Sequence, residues 1–307
     1  MRSGAKFVVG VSRGESFSPN HVGNDAAIFK CVMDELRRSG FIVESYTESS
    51  FVALPIYTEP VIVVSMARDS VTLDRLKEWE TTGHRVVNSP YGVANCTRKS
   101  MTEILVNHDI SHPHSWIIGL NKAISSMGNL SAFDNDLRLG RDSVFSYLSE
   151  KLTFPCWVKR GDSHAMVRED VSYADCKEQV SEILYDFVRR GIGSAVINEH
   201  LKGDLVKFYG VKDTPFFYNF YPSSAMHSKF GLETINGLPQ GHAFDVNELR
   251  NQANRAASVL NVPIYGGDAI VEEGGTIRII DFNDWPSFAP CREDAACAIA
   301  AYIRSIE

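Results

Sequence analysis

The sequence has no CxxC pair and no His/Cys cluster, so the ligand spacing of a zinc site is absent. Its six cysteines, Cys31, Cys96, Cys156, Cys176, Cys291 and Cys297, are scattered, and 307 residues suffice to build a core without disulfides. They read as the reduced thiols of a cytosolic, cytoplasmic protein. No window approaches the roughly 20 apolar residues of a membrane span, and the apolar run near the N-terminus is too short for a signal peptide. Neither GxxxxGK(S/T) nor GxGxxG occurs, which argues against the P-loop and dinucleotide-binding fingerprints. A basic excess is also missing. Lys and Arg total 31 against 38 Asp and Glu, a formal charge of -7, so gripping nucleic acid is not the expected task.

What remains is the composition of a folded chain, 44% apolar and 22% charged, long enough for one large domain or two to three lobes. Residues 7–11, 41–46, 60–65 and 84–88 read as strands, with helices at 25–38 and 72–79. Strands alternating with helices predict a small αβ domain over 1–95 with an open α/β sheet. Beyond it, helices are expected at 98–106, entered after a Thr97 cap, and at 141–152. Another is expected at 173–190, with Cys176, Val180, Ile183, Leu184 and Val188 as its buried stripe. The stretch 125–140, rich in Gly, Ser, Asn and Asp, reads as surface. Strands are expected at 154–159, 195–198 and 204–211, and an extended aromatic run at 215–221. Near the end come a helix at 246–260, a hairpin whose partner strand covers 276–281, and a final helix at 292–303. Residues 96–198 and 199–307 are therefore read as two α+β lobes.

The hairpin's second strand, TIRIIDFNDWPSF, holds the most informative pattern. Strand side chains alternate faces, so Asp281 and Asn283 point the same way if the strand extends that far. A carboxylate and an amide oxygen at that spacing are hard ligands suited to Mg²⁺, and Asp268 on the preceding strand offers another carboxylate. The plain alternative is that these are turn residues where a strand ends. Lys159 lies just beyond the apolar FPCWV, where its compact ammonium can meet a phosphate, although a lysine at a strand end is ordinarily a solvated surface residue. Glu199, Asp204 and Lys207 are charges embedded in apolar, strand-like sequence. Such groups mark an edge strand or a site.

Taken together, FPCWVKR, VINEHLKGD, DLVKFYGV and the D-x-N strand resemble the ATP-grasp superfamily over roughly residues 85–290. The resemblance implies an ATP-grasp fold: a small N-terminal αβ pre-grasp domain, then two α+β lobes enclosing the nucleotide. It further implies that Lys159 contacts the ATP phosphates, and that Glu199, His200, Leu201 and Asp204 meet the adenosine. By the same resemblance Lys207 helps hold nucleotide or substrate, and Asp268, Asp281 and Asn283 bind one or two Mg²⁺, with Mn²⁺ as a substitute.

Within the superfamily, NSPYGVANCTRKSMTEILVNHDISHPHSW is similar to a segment of the glutathione-synthetase-like and ribosomal-protein glutamate-adding ligases, which makes Lys99 a further ATP-contacting lysine. Arg98-Lys99-Ser100-Met101 and Ser163-His164-Ala165-Met166 also resemble elements of the inositol trisphosphate 5/6-kinases. Where such ligases carry a glycine-rich flap, this chain has GDSHAM. The leading expectation is a carboxylate–amine ligase working through an acyl phosphate on a small acid or peptide. A kinase of an inositol-phosphate-like alcohol is the alternative, with His164 as its candidate proton acceptor or equally a phosphate binder or loop cap, and a non-catalytic nucleotide-binding protein is a third reading. Arg292 is placed to clamp an anionic substrate or to lie on the surface. The segment 215–244, with His227, Lys229 and His242, is the expected source of substrate specificity. A homodimer is compatible with the resemblance, dimers being common among similar ligases. No membrane or nucleic-acid partner is expected.

Overall fold

A computed structural model describes residues 6–17, 22–120, 152–222 and 232–307 of the chain. The chain divides into two compact units, Met1–Cys96 with Gly203–Glu307, and Thr97–Lys202. The surface stretch expected at 125–140, most of the helix expected at 141–152, and His227 and Lys229 lie outside the described residues. None of the helices among the described residues is long and apolar enough to cross a membrane. All six cysteines are free.

The first unit opens with β1 (Phe7–Ser12), α1 (Val22–Arg38), β2 (Ile42–Thr47), α2 (Glu48–Val52), β3 (Ile62–Ser65), α3 (Ser70–Thr81), β4 (Arg85–Val87) and α4 (Pro90–Asn95). The four strands form a parallel sheet in the order β2-β1-β3-β4. Continuous burial of Val8, Val9 and Val11 in β1 suits a central parallel strand covered on both faces. Asp69 caps α3 by accepting from the Thr72 amide at 2.9 Å. The chain leaves β1 in one direction to β2 and returns on its other side as β3. The carboxyl ends of β1 and β3 therefore flank the point where strand order reverses.

The second unit holds α5 (Arg98–Asn107), β5 (Ser115–Gly119), β6 (Cys156–Arg160), β7 (Val171–Ala174), α6 (Lys177–Arg189) and β8 (Ser194–Glu199). Its sheet is antiparallel in the order β5-β8-β6-β7. Val180, Leu184, Phe187 and Val188 of α6 share one core with Cys156, Val158, Ala195 and Ile197 of the sheet. The long helix expected over 173–190 is corrected here. Residues 171–174 pair with β6 as a strand, because V-S-Y-A alternates like a strand and has a neighbour to bond. Cys176 stands at the helix N-cap, outside the stripe. Thr97 does precede α5, but its side chain makes no capping hydrogen bond.

The first unit resumes with β9 (Asp204–Val211), β10 (Phe217–Phe220), α7 (Val246–Leu260), β11 (Ile264–Val271), β12 (Ile277–Asp284) and α8 (Arg292–Ser305). Its second sheet is antiparallel, ordered β10-β9-β11-β12. Ile28, Val32 and Leu36 of α1 share a core with Ala295, Ile299 and Ile303 of α8. The buried Asn88 side chain donates to the Ile264 carbonyl at 2.7 Å and accepts from its amide at 3.0 Å, joining the parallel part of this unit to the start of β11.

Candidate functional site

The hairpin β11–β12 runs three residues past the end expected for its second strand, so Asp281 and Asn283 are strand residues and not a turn. Asp268 stands directly opposite Asp281, and Gly266 opposite Asn283. Paired residues of an antiparallel ladder share a face, so the two carboxylates and the amide lie together on one side of the sheet. A bulge makes this possible. The register shifts between Asp268 and Ala269, with Ala269 opposite Ile279, so Ile280 is the extra residue. Before the bulge, Ile277 and Ile279 face the core; after it, Phe282 and Asp284 do. Without the extra residue, period-two alternation would turn Asp281 and Asn283 inward with the isoleucines.

Glycine opposes Asn283 and glycine follows, for steric reasons. A Cβ on Gly267 would lie 2.5 Å from the Asp281 carbonyl oxygen and from the Phe208 ring, and one on Gly266 would lie 2.8 Å from Pro286 and from Tyr209. Lys207 on β9 is opposite Asp268 on its other side, and its Nζ reaches the two Asp268 oxygens at 3.2 and 3.3 Å. The row Lys207–Asp268–Asp281 thus crosses three strands. Two half-buried carboxylates plus one amide oxygen form a hard, oxygen-only donor set with few protein ligands, which fits Mg²⁺. Among the described residues no group of three or more His, Cys, Asp and Glu side chains is placed to hold a metal, so a soft or all-protein cage is not what this set resembles.

In the second unit Lys159 is buried, only 7% exposed, within β6. This differs from the solvated surface lysine that a strand end ordinarily carries. Alternation places it with Trp157 on the sheet face opposite α6, since Cys156 and Val158 occupy the α6 side. Its strand leads into the loop at 161–166, which is held at both ends. Asp162 accepts from the Arg160 Nε at 2.6 Å and from the Gly193 amide at 2.8 Å. The fully buried Asp170 accepts from the Met166 and Val167 amides at 2.7 and 3.2 Å and pairs with Arg190. Burial opposes ionisation of Asp170, but the amides and Arg190 outweigh it and hold its carboxyl below the usual range. His164 sits half-buried in this loop, its carbonyl accepting from the Ser163 hydroxyl at 2.9 Å.

Lys99 joins the same neighbourhood, its amide donating to the Gly161 carbonyl at 2.9 Å. A cavity of about 500 Å³ is lined by Thr97, Lys99, Ser100, Gly161, Asp162 and Ser194, among others. Glu199 ends β8 and accepts from the His114 amide at 2.7 Å. Next to it, His200 accepts from the Trp157 indole at 3.1 Å and packs edge-on against Tyr173. Burial, helped by Lys202, lowers its pKa below the ordinary histidine value. Leu201 is buried beside it in sequence.

Two of the expected site residues are engaged by groups of the first unit. Asp204 is 2% exposed, and its carboxylate accepts from the amides of Gln240, Gly241 and His242 at 2.6, 2.8 and 2.8 Å. It clamps a loop. Arg292, at the start of α8, donates to Asn24 at 3.0 Å and so ties α8 to α1. Sequence reasoning missed Arg13 and Arg68, whose guanidiniums converge on Asp284, next to Asn283. Buried arginines at the carboxyl ends of parallel strands were the available signal, in SRGES and SMARD.

The chain shares its fold with solved ligases, among them structures described as ATP-grasp ligases. The chain is similar to D-alanyl-alanine synthetase A from Vibrio cholerae at 11% identity, covering 98% of this chain and 97% of that one, with a TM-score of 0.64. It is similar to VanG D-Ala:D-Ser ligase from Enterococcus faecalis at 11% identity, covering 98% and 99%, with a TM-score of 0.65. It is also similar to the ATP-grasp ligase PsnB complexed with minimal precursor at 15% identity, covering 98% and 99%, with a TM-score of 0.58. No protein-family model and no curated protein matches the sequence.

Proposed function

We propose that the chain is an ATP- and Mg²⁺-dependent carboxylate–amine ligase that activates a small acid or a peptide carboxylate as its acyl phosphate. The observation that carries this reading is the bulge-directed set Asp268, Asp281 and Asn283 on one face of a hairpin, in a chain with an ATP-grasp fold. A divalent ion held there would neutralise charge on the phosphate oxygens of ATP. Lys159 and Lys99 are the lysines that the resemblance assigns to the ATP phosphates, and Lys207 steadies Asp268 through their ion pair. Transfer of the γ-phosphoryl to a substrate carboxylate gives the acyl phosphate. Attack by an amine then gives the amide and releases inorganic phosphate. Catalysis of this kind rests on positioning and electrostatic stabilisation. The fold shared with a D-Ala:D-Ser ligase and with a ligase complexed with a precursor supports a small acid or a peptide as acceptor.

The kinase reading keeps one observation of its own. The Arg98–Met101 segment is bonded, through the Lys99 amide and the Gly161 carbonyl, to the loop that goes on to carry Ser163–Met166. A screen of amino acids, short peptides and inositol phosphates with Mg-ATP separates the two readings. Hydroxylamine trapping of an acyl phosphate, with amide and inorganic phosphate as products, is the result expected. Clean phosphate transfer to an alcohol without trapping would replace the ligase with the kinase.

A further inference from the structure

Arg13 and Arg68 follow the carboxyl ends of β1 and β3, at the point where strand order reverses. Open α/β sheets ordinarily take their ligands in that crevice. Here both arginines take the end of β12 instead. Arg68 donates from Nη2 to Asp284 Oδ1 at 2.7 Å, from Nε to Oδ2 at 3.3 Å, and from Nη2 to the Asp284 carbonyl at 3.1 Å. Arg13 Nη2 lies 3.5 Å from Asp284 Oδ2 and donates to the Trp285 carbonyl at 2.9 Å. Its other nitrogens bond Asp25 at 3.0 Å and the Met66 carbonyl at 3.1 Å. Glu48 ties the two arginine loops together, accepting from Gly14 at 2.8 Å, Arg68 at 2.6 Å and Asp69 at 3.0 Å. The side chain of Asp284 is 1% exposed, and those of Arg13 and Arg68 are 5% and 10% exposed.

Net stability is a poor reason for this cluster, because apolar residues of similar volume often serve a core as well as buried ion pairs do. Its location is more telling. Asp284 is the neighbour of Asn283, and immediately after it Trp285 takes a φ of 34°, with Phe288 at 49°, both fully buried. Non-glycine residues at positive φ persist only where their surroundings over-determine them. A metal ligand on a strand's last turn of pleat needs its strand end fixed to within about 0.5 Å. We infer that Arg68, assisted by Arg13, is a positioning residue that holds the end of β12 through Asp284 and so sets how tightly Asp281 and Asn283 take a divalent cation. This inference rests on the metal role given to the hairpin above.

The test is Mn²⁺ titration by electron paramagnetic resonance, with the non-hydrolysable analogue AMP-PNP present, on the full chain. It compares wild type, Asp281→Ala, Arg68→Gln, Asp284→Asn and the last two combined, at a temperature where circular dichroism shows each folded. Wild type is expected to bind and Asp281→Ala to lose binding. Arg68→Gln and Asp284→Asn should each weaken Mn²⁺ on the order of 10- to 100-fold, the usual effect of losing an outer-shell partner. The combined variant should be no weaker than the worse single one, since both remove one interaction. If Arg68→Gln does not fold, Asp284→Asn, which keeps the side-chain volume, decides alone. Unchanged Mn²⁺ affinity in the folded variants, with Asp281→Ala still defective, overturns the positioning role and leaves the metal site standing. Wild-type-like binding by Asp281→Ala overturns the metal reading itself, and the positioning role with it.

Discussion

Asp204 shows how a single buried carboxylate is used structurally. Its oxygens meet three amides 36 to 38 residues downstream, and those bonds, working against the burial that opposes ionisation, hold its carboxyl below the ordinary 3.8. Asp204→Asn should destabilise the chain by about 1–3 kcal/mol, because charged acceptors bond amides more strongly than neutral ones and the new NH₂ faces donors. A carboxyl with a depressed folded-state pKa contributes in full above its unfolded pKa and loses that contribution as pH falls through the folded one. The gap in urea midpoint between wild type and Asp204→Asn should therefore be wide at about pH 6 and narrow at about pH 3. No reading of VINEHLKGD reveals this, since the partners are backbone groups of a remote loop. Lys159 is a contrasting case. Its position in FPCWVKR was legible as a strand lysine, while its burial depends on the face that β6 turns from α6. Lys159→Met, similar in length but uncharged, should leave the far-UV spectrum intact and lower ATP-dependent turnover on the order of 10²-fold.

At the level of elements, hydrophobic period gave most of the regular structure, because amphipathic helices such as α1 and α7 carry their own signal. The bulge in β12 carried none. TIRIIDFND reads as plain alternation, and only pairing with β11 shows that Ile280 is the extra residue that turns Asp281 and Asn283 outward. β7 was missed for a related reason, since a four-residue strand is defined by its partner more than by its own pattern. The hairpin also depends on two glycines without side chains to hinder the close approach of neighbours. Gly267→Ala brings a methyl to 2.5 Å from the Asp281 carbonyl and the Phe208 ring. It should cost about 1–3 kcal/mol of stability in denaturant melts and weaken metal-dependent nucleotide binding, whereas Gly23→Ala in the first turn of α1, with open space around its Cβ and no positive φ, should leave that binding unchanged.

Across the whole molecule, the chain returns to its first unit after building the second, so residues far apart in sequence become neighbours. Arg13 bonds Trp285, 272 positions away, and Arg68 bonds Asp284, 216 positions away. The D-x-N pair was legible because two-residue spacing is a local fact. The arginines that fix it were not, because their meaning depends on sheet order. Nucleotide use by this chain depends on the β11–β12 hairpin binding a divalent cation. Calorimetric titration of AMP-PNP, with and without Mg²⁺, into wild type and Asp281→Ala tests it most directly. Mg²⁺-dependent binding by wild type that disappears in the folded Asp281→Ala is the expected result. Binding that ignores Mg²⁺, or that survives the substitution unchanged, would contradict it.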